Sequence, residues 1–155
     1  MQMTTRPYRH SDREHVVALL ADGRAVDTPG LRVQVAEEAG AVVGAAVYRV
    51  SEGGGQDARL GAVVAADDSR IRMYALVRAC ALDAMREGHT HGSFTVRDRR
   101  LLDRLRRDFR VDPKPSAWEP SATTEPGAPV EWTVEVDLAD AVGQLDAALA
   151  RLGVA

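Results

Sequence analysis

Apolar residues along this chain follow two rhythms: a two-residue alternation in short stretches, and a three- and four-residue spacing in longer ones. "TTRPYR" reads as a short strand. "SDREHVVALLADG" reads as a helix, with Ser11 and Glu14 as a capping box, Val16, Val17, Leu19 and Leu20 as its apolar face, and Gly23 near its stop. "LRVQVAEEAGAVVGAAVYRV" is valine-rich on both sides of the turn-forming "EEAGA", which predicts a β-hairpin over residues 31–50. "SEGGGQD" has the composition of a flexible loop, and "ARLGAVVAA" that of a central strand. "DDSRIRMYALVRACALDAMREG" then places Met73, Leu76, Val77, Cys80 and Ala84 on one helix face, with Asp67, Asp68 or Ser69 as N-cap and Gly88 as stop. The alternation of "GSFTVRD" supplies the next strand and closes a strand-helix-strand crossover.

A second helix, "RDRRLLDRLRRDF", is expected to bury Leu101, Leu102, Leu105 and Phe109 and to turn its arginines to water. Residues 111–129 are rich in proline and support at most a short edge strand near Ser116 to Trp118. "VEWTVEVDL" alternates as a strand. Leu138, Val142, Leu145, Leu149 and Leu152 then form one helical stripe that closes at Gly153, a C-terminal helical extension over residues 138–153. That stripe packs either on its own domain or against a second copy of the chain, a homodimer.

The length of 155 residues suits one domain, 1–155, and the net charge of −3 argues against general adhesion to nucleic acid or anionic lipid. The arginine helix fits that reading, because Asp98, Asp103 and Asp108 interrupt its charge at spacings suited to ion pairs. No stretch has the apolar core of a signal peptide or the length of a membrane span, and the one cysteine, Cys80, falls on a helix stripe. A cytoplasmic protein without disulfides is the expectation. His89 and His91, in "GHTHG", are a His-x-His pair without a third ligand in sequence reach, so loop histidines are expected rather than a metal site.

The stretch with most chemistry runs from the apolar "GAVVAA" through "DDS" into a helix, the arrangement by which helix N-termini meet phosphate. Such breaks are normally glycine-rich; this one holds no glycine between Gly61 and Gly88. Its N–H groups and helix dipole remain, Arg70 and Arg72 add positive charge, and Asp67 and Asp68 oppose it.

In element order the chain resembles the GNAT superfamily of acyl-CoA-dependent N-acyltransferases over roughly residues 4–137. "RPYRHSDREHVVALL" is similar to that family's opening strand and helix, "VAEEAGAVVGAAVYRV" to its second and third strands, and "ALVRACALDAMREGHTHGSFTV" to its third helix and fifth strand. The resemblance implies an α/β (α+β) fold with a mixed, mostly antiparallel central sheet of six to seven strands flanked by helices. It implies acetyl-CoA as cofactor and an amine of a small molecule or peptide as acceptor. The family's pyrophosphate loop, Gln/Arg-x-x-Gly-x-Gly/Ala, falls on Asp68, Ile71 and Met73 in one register, and on Arg70, Met73 and Ala75 in another shifted by two residues. The resemblance thus places the donor against Val63, Val64, Arg70, Arg72, Met73, Tyr74 and Ala75. The family's tyrosine acid falls on Leu102 or Arg104, so Tyr48 and Tyr74 are the candidate acids. Glu37 is the leading candidate base, with Glu38 and Glu52 beside it. The altered loop and missing tyrosine also fit a second expectation, a GNAT-like fold that no longer uses CoA and serves as a binding or accessory module, or runs another reaction in the same cleft.

Overall fold

The computed structural model describes residues 2–50, 57–120 and 127–154. The glycine-rich stretch after the hairpin, with Glu52, lies outside the described residues. One sheet of seven strands runs through the chain in the order β1-β2-β3-β4-β5-β7-β6. Its strands are β1 (Met3–Pro7), β2 (Leu31–Glu38), β3 (Ala41–Val50), β4 (Asp57–Ala65), β5 (His91–Val96), β6 (Lys114–Trp118) and β7 (Pro129–Asp137). Every neighbouring pair is antiparallel except β4 and β5, which the crossover makes parallel. The helices are α1 (Arg13–Leu20), α2 (Arg24–Asp27), α3 (Arg70–Arg86), α4 (Arg99–Asp108) and α5 (Leu138–Arg151). The expected mixed, mostly antiparallel sheet with flanking helices is present.

The two faces of the sheet carry different cores. On one, α3 lays Leu76, Cys80, Ala81 and Ala84 over Ala36, Ala46, Tyr48 and Ala58. Further along that face, Leu102 of α4 packs with Val96, Trp132 and Val134. On the other, Val16 and Leu20 of α1 and Val26 of α2 cover Val33, Val35, Ala45 and Val47. The alternation of β2 and β3 serves both faces at once, which is why these strands read as near-continuous apolar runs. The hairpin turn at Ala39 and Gly40 has φ of 51° and 81°, the left-handed pair that a tight two-residue turn requires.

Three local expectations change. The first helix is not capped by Ser11 and Glu14: Asp12 holds the N-cap position without a side-chain cap bond, and its carboxylate, 5% exposed, accepts instead from the Arg9 amide at 2.8 Å and from Arg6 at 2.7 and 2.9 Å. A partly buried guanidinium binds that carboxylate more strongly than a surface serine could cap the helix, so a 3-10 turn over His10–Asp12 precedes α1. On α4, Leu101 is 38% exposed rather than buried, because only the Leu102 and Leu105 side of the helix meets the sheet. The stretch "ADGRAVDTPG", where the sequence shows no period and no element is expected, contains α2, whose single turn is too short to show one.

The C-terminal helix spends its stripe within the chain. Leu145, Ala148 and Leu149 pack against Ile71, Tyr74 and Val77 of α3 and against Phe109 at the end of α4. Asp137 caps α5 through the Asp140 amide at 2.9 Å, and Arg78 binds Asp146 at 2.6 Å. Gln144 accepts from the Arg110 amide, and Arg151 donates to the Asp108 carbonyl. α5 is therefore held between α3 and the exit of α4.

Candidate functional site

The sheet opens in its middle. β4 and β5 are registered only at Asp57 with His91, Ala58 with Gly92 and Arg59 with Ser93, and beyond these pairs they part. A bulge in β4 accompanies the parting: Tyr48 pairs with Leu60 and Val47 with Ala62, so Gly61 is the extra residue. Bulges bend a strand and sharpen its twist. A side chain at Gly61 would set its Cβ 3.2 Å from the Val47 carbonyl oxygen, so glycine lets the bulged strand stay close to β3. The half-buried Leu60 and Phe94 give the wedge apolar walls.

On the face opposite α3 the wedge opens into a cavity of about 830 Å³. α1 and α2 cover the β2–β3 half of that face, and among the described residues no helix packs over its β5–β7 half. Alternation therefore presents polar side chains there. Register aligns Leu31, Arg49, Arg59, Ser93 and Glu135 in one row across five strands, and all five line the cavity. Thr95 faces Thr133 further along, and His91 closes the near end.

At the far end of β4 the chain enters α3. Asp67 and Asp68 have φ of 59° and 49°, and Ser69 caps the helix, accepting from the Arg72 amide at 3.4 Å. The Arg70 and Ile71 amides are then the first-turn donors for which the helix supplies no acceptor. The Arg72 guanidinium turns inward, donating to the Ala66 carbonyl at 3.0 Å and to Glu38 at 2.6 Å, and is 18% exposed. It ties the end of β2 to the β4–α3 turn. Arg70, 46% exposed, lies 3.8 Å from Asp108. Ile71 packs on α5, Met73 and Ala75 continue the helix, and Tyr74 donates to Asp108 at 2.9 Å and meets Phe109 edge-on. Burial, with Asp108 beside it, raises the Tyr74 phenol to about 12.

The candidate residues thus divide among three places. Val63 and Val64 belong to β4 where it leaves β5, and Arg70, Arg72, Met73, Tyr74 and Ala75 lie on the first turns of α3. Glu37 sits on β2, where it accepts from Arg6 at 2.6 Å; it does not line the cavity. Tyr48 does line it, but its hydroxyl points to α3, donating to Asp83 and accepting from Gln34 at 3.1 Å. Burial first and the Asp83 carboxylate second hold that hydroxyl's pKa far above the ordinary tyrosine value. Burial pushes the Asp83 carboxyl up, but the bonds from Tyr48 and Arg32 outweigh it and leave the group below its usual range. Sequence reasoning passed over Arg49, Arg59, Ser93, Thr95, Thr133 and Glu135. Their signal is the polar half of each strand's alternation, which shows that they share a face once register is known. No cluster able to hold a metal is present among the described residues, and no described helix is long and apolar enough to cross a membrane.

No model of a known protein family matches the sequence, and no curated protein does either. Solved structures do match. A GNAT-family protein from Desulfovibrio desulfuricans is 14% identical, covering 88% of this chain and 99% of its own, with a TM-score of 0.68. The spermidine/spermine N-acetyltransferase SpeG of Vibrio cholerae, solved with manganese ions, is 11% identical, covering 92% and 96%, with a TM-score of 0.66. A GNAT-family acetyltransferase from Elizabethkingia anophelis, solved with acetyl-CoA bound, is 12% identical, covering 87% and 97%, with a TM-score of 0.59. With its strand order, its single parallel pair and its parted centre, the chain has the fold of the GNAT acetyltransferases.

Proposed function

We propose that this chain is an acyltransferase that moves an acetyl group from acetyl-CoA to an amine of a small molecule or peptide. The observation that carries the reading is the parting of β4 and β5 at the Gly61 bulge. It gives an apolar wedge that suits an extended acyl arm and joins it to a polar cavity of about 830 Å³ that suits an acceptor. Acetyl-CoA supplies an activated thioester; the chain supplies the place. Val63 and Val64 belong to β4, on the wedge's β4 side. At α3, the Arg70 and Ile71 amides, with the Arg70 guanidinium, would hold the pyrophosphate in place of the glycines the family uses. Arg72 is committed to Glu38 and Ala66 and takes no part.

A second reading has its own observation. Asp67 and Asp68 add two negative charges at the same helix start, and α5 occupies the α3 flank formed by Ile71, Tyr74 and Val77. In this reading the cleft binds its polar ligand without CoA. Titration of the purified protein with acetyl-CoA by calorimetry separates the two. Saturable binding that Arg70→Ala weakens is expected; absence of heat at millimolar acetyl-CoA would leave only the second reading.

A further inference from the structure

We propose that the cavity binds a small zwitterion, with its carboxylate on Arg49 and Arg59 and its amine on Glu135. The inference deepens the proposed function by naming the acceptor's class, and rests on that reading only in calling the ligand an acceptor.

The two arginines are direct cross-strand partners on β3 and β4, and both line the cavity. Like charges in that position repel, since directly opposed Cβ atoms lie only about 5 Å apart. Arg49 has its guanidinium over the Gly30 corner, where a Cβ on Gly30 would meet Nη1 at 4.0 Å; φ of +85° there favours glycine. Both guanidiniums border the one cavity, so a carboxylate bound there can accept from them, and its negative charge offsets their repulsion. Across the cavity, Ser93 stands beside Arg59, and Glu135 beside Ser93. Among the described cavity-lining residues, Glu135 is the single carboxylate. Two strand spacings of about 4.8 Å separate β4 from β7, so the ends of the site lie about 10 Å apart at the backbone. Side chains reaching inward shorten that span to the length of an amino acid with a chain of several carbons, or of a short peptide.

The test uses 6-aminohexanoate as probe, with hexanoate and hexylamine as the molecules that lack one end each, all without acetyl-CoA. Amide shifts of Ser93 and Thr95 report binding. We expect 6-aminohexanoate to bind about tenfold more tightly than either control, the usual scale for one charge-assisted contact. Arg59→Gln should bring it down to the level of hexylamine, and Glu135→Gln to that of hexanoate. Arg59→Gln should also raise the urea midpoint of the free protein by relieving the repulsion, a direction that a merely structural arginine would not give. Equal affinity for the three molecules, or no shifts at 50-fold molar excess and above up to solubility, would overturn the proposal. Because no donor is present, failure of acetyl-CoA to bind leaves this result standing, and the reverse holds.

Discussion

Asp12 joins the first strand to the first helix. It accepts two bonds from Arg6 and one from the Arg9 amide, and those bonds hold its carboxyl at about 2, against an ordinary 3.8. The bonds from Arg6 lower it most; burial works the other way. A carboxyl depressed on folding contributes stability above its unfolded value, and that contribution is lost as pH falls through the folded one. Its size here is about 2 kcal/mol. Asp12→Asn should therefore lower the free energy of urea unfolding by about 2 kcal/mol at pH 7, with the gap from the parent closing between pH 4 and pH 2. A parallel case concerns the two arginines of α3, which the sequence offers as equals. Arg72→Ala removes a charge-assisted tie of about 1.5 to 3 kcal/mol and should act on stability. Arg70→Ala should leave the unfolding curve within about 0.5 kcal/mol, as exposed charges usually do, and should instead weaken acetyl-CoA binding.

The element that most separates this molecule from a bare sheet with its crossover helix is α5. Its leucine stripe and closing glycine are legible in sequence, and the helix runs over Leu138–Arg151, as that pattern predicts. The partner of the stripe is not legible, because a leucine every three or four residues fits a neighbouring helix and a second copy equally well. The structure gives it to α3, through Tyr74, Ile71 and Val77. Leu149, 8% exposed, is the central contact, and Leu149→Ala should cost about 2 to 4 kcal/mol, read from urea unfolding. The same substitution loosens the cover on the α3 flank, so acetyl-CoA affinity should rise in that variant if the helix hinders the donor. Unchanged affinity would show that the donor path avoids it.

At the scale of the whole molecule, the order of elements was legible because each strand and long helix carries its own period. What escaped was what no single segment contains. α2 is one turn long, and the turn before α1 is held by Arg6, six residues before Asp12. The cavity residues Arg49, Arg59, Ser93, Thr95, Thr133 and Glu135 come from β3, β4, β5 and β7, one or two per strand, and become neighbours only through a register that tertiary structure sets. The residues singled out by sequence are the ones clustered in one stretch, around Arg70, or marked by type, such as Tyr48 and Glu37. In the folded chain Tyr48 is bound to Asp83, Tyr74 to Asp108 and Glu37 to Arg6, and the uncommitted chemistry lies on the polar side of the strands.

The parted strands have one more consequence, for hydrogen exchange. In most sheets the middle strands hold the slowest amides, since they are paired on both sides and farthest from fraying. Here the fourth and fifth of seven strands share only three registered positions, so past Arg59 and Ser93 each presents a raw margin to the other. Alternate N–H groups of residues 60–65 that point across the gap should trade deuterium orders of magnitude faster than their neighbours bonded to β3. A saturating ligand in the wedge should slow those same amides. The geometric centre of this protein would then hold one of its most labile lines.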